Sequence, residues 1–217
     1  KDLSYISGGF SWVATADQNP EGATFFLDDL KFEADVSVKA ARKEAQKMPF
    51  YVFADRRSIG NHFIPSGWMG DYGDLKIDTG WKENSYMGDT CLKIVYSGKN
   101  SQGARWAGIY WQNPPNNWGS IDGGYDLSSA GKVTFWARGE KGGERIEEFK
   151  IGGIMGEFSD TDIASVGPVI LTKEWQQYSI DLKGKDLSYI SGGFCWATNV
   201  DVNPEGVTFY LDEIKYE

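Results

Sequence analysis

Val207–Glu217 reads VTFYLDEIKYE and Gly192–Thr198 reads GGFCWAT, and this pair of runs decides the fold. Both are short and rich in β-branched and aromatic residues, and Asn203-Pro204-Glu205-Gly206 between them is a turn signal. The chain therefore closes on two strands joined by a turn. The same segment stands at its other end. Lys1–Phe10 and Lys185–Phe194 are both KDLSYISGGF, Asn19-Pro20-Glu21-Gly22 returns as residues 203–206, and Thr24–Asp28 (TFFLD) returns as Thr208–Asp212 (TFYLD). About two thirds of the aligned positions in 1–33 and 185–217 are identical, which marks a tandem duplication. An isolated hairpin is marginal in water. Residues 1–33 are thus expected to be the end of a preceding module that leans on another surface, with self-association as one outcome.

Working inward, strand-like runs recur between turn signals. They are Tyr51–Ala54, Cys91–Tyr96 (CLKIVY) after a long loop rich in Gly and Trp, Ala104–Gln112 (ARWAGIYWQ), Lys132–Arg138 (KVTFWAR), Glu148–Ile154, Val169–Leu171 and Gln176–Leu182. Many short strands with no helix among them predict an all-β antiparallel sandwich or barrel over 50–217. Ala34–Met48 (ADVSVKAARKEAQKM) is rich in helix formers and is closed by Pro49, so 34–49 is expected to be a helical linker.

With 41% hydrophobic and 24% charged residues, the 217-residue chain can form one core of moderate size. Its net charge of −9 argues against nucleic acid, whose phosphates require clustered Lys and Arg. No apolar run approaches the ~18 residues of a membrane span. The chain opens inside a strand-like pattern without a leader, and is expected to be a slice of a longer tandem array. Two cysteines, Cys91 and Cys195, exclude a disulfide framework and leave a single bridge open. Ser11 stands at the position of Cys195 in the first copy, which suits a small semi-buried residue.

The order of these runs carries a resemblance. Phe53-Ala54-Asp55, Thr90–Val95, YDLSSAGKVTFWARG (125–139), LTKEWQQYSIDL (171–182) and the closing VTFYLDEIKYE resemble the β-jelly-roll carbohydrate-binding modules of the galactose-binding-like superfamily. The resemblance covers essentially all of 50–217. It implies a β-sandwich jelly roll, a non-catalytic polysaccharide-binding role and an extracellular or cell-surface setting. It also implies a structural calcium ion held by Asp212, with Asp55 as a second carboxylate, since Ca²⁺ takes oxygen ligands.

Strand periodicity places the ligand residues. In Arg105–Gln112, Ala107, Ile109 and Trp111 form one face, and Trp106, Gly108, Tyr110 and Gln112 the other. In Lys132–Arg138, Trp136 and Arg138 oppose Val133, Phe135 and Ala137. Exposed rings beside hydrogen-bonding groups are what a pyranose needs, since its C–H face stacks and its hydroxyls require polar partners. The loop 113–119 adds Asn117 and Trp118, and the expected loop 66–72 adds Trp68, Asp71 and Tyr72. Trp175 and Tyr178 are expected to be structural, and Trp196 suits packing and binding equally. Catalysis has little to stand on. His62 is the only histidine, no nucleophile or metalloprotease motif occurs, and Glu147, Glu148, Asp160 and Asp162 are acidic groups near predicted strand ends. A structural or adhesive spacer in a repeat array is the alternative function, and a glycan-acting hydrolase the second.

Overall fold

The computed structural model describes residues 21–28 and 43–217, in two units, 1–42 and 43–217. Of the first unit, 21–28 is described: Gly22 sits at φ 82° in its turn, as Gly206 does at φ 74° in the second copy. Both glycines occupy the left-handed conformation that only glycine adopts without strain. The remaining residues of 1–33, and with them the expected hairpin, lie outside the described residues. So does 34–42 of the expected helix. Within 43–48 the chain is not helical: Ala45 makes a parallel bridge to Asp126 and the Gln46 amide donates to the Asp126 carbonyl at 2.8 Å. Helix propensity is weak against a ready-made backbone partner.

Unit 43–217 is built of thirteen strands. They are β1 (Phe50–Phe53), β2 (Ile64–Gly70), β3 (Leu75–Trp81), β4 (Cys91–Tyr96), β5 (Trp106–Gln112), β6 (Lys132–Gly139), β7 (Arg145–Ile146), β8 (Glu148–Gly152), β9 (Ile163–Val166), β10 (Val169–Ile170), β11 (Gln176–Asp181), β12 (Gly192–Asn199) and β13 (Val207–Tyr216). Ile64–Gly70 and Leu75–Trp81, expected as loop, are strands with mixed burial, so their sequences carry no clean alternation.

One sheet has six strands, ordered β11-β6-β13-β4-β3 with β1 also on β13, and the other has five, ordered β2-β5-β12-β8-β9. All of these pairings are antiparallel. The closing strand organises the first sheet. Residues 207–211 pair with β4, and Tyr216, Lys215 and Ile214 pair with β1. Between the two stretches Glu213 takes φ 49° and the register against β6 shifts. That bulge lets one strand serve two successive neighbours on the same side.

The core fills the space between the sheets. Phe135 of β6 meets Phe149 of β8 at 4.7 Å and Phe194 of β12 at 5.2 Å between ring centroids. Trp196 of β12 stands edge-on to Phe209 of β13 at 4.9 Å. Tyr216 of β13 crosses the layer to donate to the Gly193 carbonyl at 2.7 Å. Trp196 is therefore a core residue, which settles its ambiguity. Cys91 and Cys195 are both buried and free, one in each sheet, so no bridge joins them.

Candidate functional site

β5 alternates as its sequence dictates. Ala107, Ile109 and Trp111 enter the core, and Trp106, Gly108, Tyr110 and Gln112 take the outer side of the five-stranded sheet. In register beside them, Ala197 and Glu148 continue the row of Gly108, and Cys195 and Lys150 the row of Tyr110. Gly108, Ala197 and Cys195 form a small-residue stretch of which Gly108 and Cys195 are buried, Cys195 packed with Tyr110, Ile154 and Met69. Large groups flank it: Trp106 is 40% exposed at one end and Trp118 is 45% exposed at the other. Tyr110 lies between, edge-on to Trp118 at 5.8 Å, with its hydroxyl donating to the Gly152 carbonyl at 2.9 Å. From Trp106 to Tyr110 the strand rises about 13 Å. Lys150 Nζ lies 5.3 Å from the Tyr110 ring and 3.4 Å from Glu148 Oε2. The face thus offers two open indoles, a cation and a carboxylate along one line.

The turn before Trp106 is fixed by Asp71, a fully buried carboxylate. It accepts the amides of Gln102, Ala104 and Arg105 at 2.7–3.0 Å, and its own amide donates to the Trp106 carbonyl at 2.8 Å. Asp71 therefore positions the indole. Gln112 and Asn117 are likewise structural, not free for ligand. Gln112 accepts from Ser66 Oγ and donates to the Asn117 carbonyl; Asn117 Oδ1 accepts the amides of Gly119, Ser120 and Ile121. They hold the loop that carries Trp118. Trp68 pairs with Ile109 and so takes the opposite side of the sheet, half-exposed on the edge strand.

Trp136 and Arg138 stand on the other sheet. Their neighbours Phe135 and Ala137 face the core, so Trp136 and Arg138 face outward on the opposite side of the sandwich from Trp106. The expected ligand residues therefore do not converge: the structure divides them between two faces and an edge. Trp136 is covered, since Tyr86 stacks on it at 3.7 Å and 15°. Tyr86 belongs to the loop between β3 and β4, pinned by Trp175 Nε1 donating to the Asn84 carbonyl at 3.0 Å. Trp81, Tyr86, Trp175 and Tyr210 make this outer side aromatic. Tyr210 is legible in the alternation of VTFYLD, whereas Trp81 and Tyr86 join only through loop folding.

Asp212 and Asp55 anchor the same loop. Asp212 Oδ2 accepts the amides of Tyr86 and Met87, and Oδ1 that of Glu213, at 2.9–3.1 Å. Asp55 Oδ1 accepts the amides of Asp89 and Thr90 and the Thr90 hydroxyl. Burial, with a smaller push from Glu213, raises the Asp212 carboxyl to about 7. These partners are N–H and O–H donors. Among the described residues no three acidic, histidine or cysteine groups converge as a metal site. In this structure the two carboxylates act as loop anchors.

His62 stacks on Phe50 at 3.9 Å, and burial lowers its pKa. The acidic groups near strand ends are engaged elsewhere. Glu147 pairs with Arg145, Glu148 with Lys150 and Asp162 with Lys185, while Asp160 accepts the amides of Ile154 and Ser191.

This architecture is one seen before. A crystal structure of a family 30 carbohydrate-binding module superposes with a TM-score of 0.52 at 18% identity, over 78% of this chain and 87% of that one. The family 30 module of the cellulosomal cellulase Cel9D-Cel44B of Clostridium thermocellum gives 0.51 at 17%, over 79% and 98%. The chain shares its fold with carbohydrate-binding modules. At this identity the likeness is one of fold, a β-sandwich jelly roll as the resemblance implied. No protein-family model and no curated protein matches the chain.

Proposed function

We propose that the chain is a non-catalytic module that binds a neutral polysaccharide along the outer side of β5. One observation carries this reading: Trp106 and Trp118, both open to solvent, stand at the two ends of the outer side of β5 with Tyr110 between them. An indole gains by covering its surface with the C–H face of a sugar. The fold shared with carbohydrate-binding modules supports the same reading. Lys150 and Glu148 supply partners for hydroxyls. A polysaccharide ligand is met outside the cell, so an extracellular or cell-surface setting goes with it.

Affinity electrophoresis against neutral β-glucans, mannans and xylans, with intrinsic Trp fluorescence, tests the proposal. A fully exposed Trp offers about 250 Å². At 40% exposure Trp106 has about 100 Å² left to bury, of which a sugar ring covers roughly half. At ~25 cal/mol/Å² that is about 1.2 kcal/mol, close to tenfold in affinity. Trp106→Ala and Trp118→Ala should each weaken binding about tenfold, and Trp136→Ala should not. Absence of retardation by every glycan, or binding indifferent to both Trp106 and Trp118, overturns the reading.

A further inference from the structure

A cavity of about 420 Å³ opens on the outer side of the six-stranded sheet, away from Trp106. Its floor is one cross-strand row, Arg138, Tyr210 and Lys93 of β6, β13 and β4. Lys93 Nζ sits 3.7 Å over the Trp81 ring, and the Arg138 guanidinium 3.7 Å over the Tyr210 ring. Lys173 joins the rim.

The charges here are unmatched. Arg138 is 7% exposed; its Nη1 makes a long bond to the Gly139 carbonyl at 3.3 Å, its guanidinium lies against the Tyr210 side chain, and its Nε has no partner. Trp81 Nε1, also buried, has none either. Among the described residues Arg138, Lys93 and Lys173 form no ion pair. The cavity's two carboxylates are Glu83 and Glu140, both exposed, and Glu140 is engaged by the Tyr210 hydroxyl at 2.6 Å. Three cations thus face two carboxylates, one of them already used. Rings beneath the cations stabilise them without neutralising them. A buried guanidinium without a counter-charge is costly, and a bidentate carboxylate is the group its planar fork fits.

We propose that this cavity is a second binding site, selective for the carboxylate of an acidic sugar, as in a uronic-acid-containing glycan. The carboxylate meets the Arg138 guanidinium, with Lys93 and Lys173 on either side. The volume exceeds that of a bare carboxylate and admits the attached ring, for which the exposed Asn84 side chain offers hydroxyl contacts. The net charge of −9 opposes an anion at long range, but beyond ~8 Å physiological salt screens it and the local cations dominate.

Isothermal titration with digalacturonate, its methyl ester and inorganic phosphate tests this. Digalacturonate should bind the native chain and weaken as salt rises, and the methyl ester should bind at least tenfold more weakly. Arg138→Gln should cost about tenfold or more, because it removes a charged hydrogen-bond donor. The exposed Lys173→Ala, which leaves the fold intact, should cost roughly threefold. Trp106→Ala should bind the neutral glycan about tenfold more weakly and keep digalacturonate, which separates this site from the β5 face. Equal binding of the ester, phosphate binding as tightly as digalacturonate, or indifference to Lys173→Ala would each overturn the proposal, as would no binding at all.

Discussion

Asp212 gives the sharpest quantitative test of the structure. It is fully buried, it holds the β3–β4 loop through the amides of Tyr86 and Met87, and burial raises its pKa from 3.8 to about 7. An acid whose native pKa lies above its unfolded value binds its proton more tightly when folded. Its contribution to stability is therefore full below pH 3.8 and is lost as pH rises through 7. At 1.36 kcal/mol per pKa unit, integration between pH 5 and pH 8 gives a loss of about 2.5 kcal/mol. For a domain of this size that is roughly 5–10 °C in Tm. Asp212→Asn removes the titration. Its amide group accepts from the loop but sets a donor against the Glu213 N–H, a pH-independent penalty of about 1–3 kcal/mol. Urea unfolding of both proteins from pH 5 to pH 8 isolates the effect, because Asp160 and the other uncoupled common groups cancel in the difference and only the adjacent Glu213 adds a smaller contribution. The native chain should lose about 2.5 kcal/mol more than the variant across that range. Parallel curves would refute the argument. The same curves decide the calcium question. A calcium-ligated Asp212 stays ionised throughout and flattens the native profile, whereas the amide-bonded carboxylate keeps it unchanged between EDTA and added Ca²⁺, which is the expected result.

Phe194→Ala opens a cavity among Phe135, Phe149 and Trp111 and should cost about 3–5 kcal/mol by denaturant unfolding. Tyr86→Ala uncovers Trp136 and should cost about 0.5–1.5 kcal/mol, with a red shift of Trp emission, while leaving neutral-glycan retardation unchanged. Gly70→Ala places a Cβ 2.1 Å from the Trp106 carbonyl at φ 62°, so it should destabilise by more than about 1 kcal/mol and weaken glycan binding by displacing the indole. Cys91, whose thiol burial pushes up to about 12, and the fully buried Cys195 should resist a thiol reagent until the protein unfolds.

The alternation of Arg105–Gln112 and Lys132–Arg138 told core side from outer side correctly at each aromatic position, because a strand's period of two is a local property. Which outer side belonged with which was not in those runs. Trp106 and Trp136 looked like equivalent platforms, and sheet assignment put them on opposite faces of the sandwich. Nor could periodicity show that Tyr86 lies on Trp136, or that Gln112 and Asn117 spend their polar atoms on the loop of Trp118. Loop backbone conformation makes those contacts, and it has no sequence period. β2 and β3 escaped for a related reason. Edge and bulged strands with mixed burial lose the alternation that identifies a strand.

The sequence by itself determined the strand-rich class, the duplicated closing segment with its Asn-Pro-Glu-Gly turn, and the side of β5 on which Trp106 stands. All three follow from nearest-neighbour chemistry: β-branched and aromatic propensity, glycine's access to positive φ, and alternation. Tertiary structure alone decided that the aromatic residues divide between two faces, that Asp212 and Asp55 hold a loop, and that Arg138 is buried against Tyr210 without an ion-pair partner. Those facts depend on which strands become neighbours, and long-range pairing sets that, through the burial of a shared core by residues far apart in the chain.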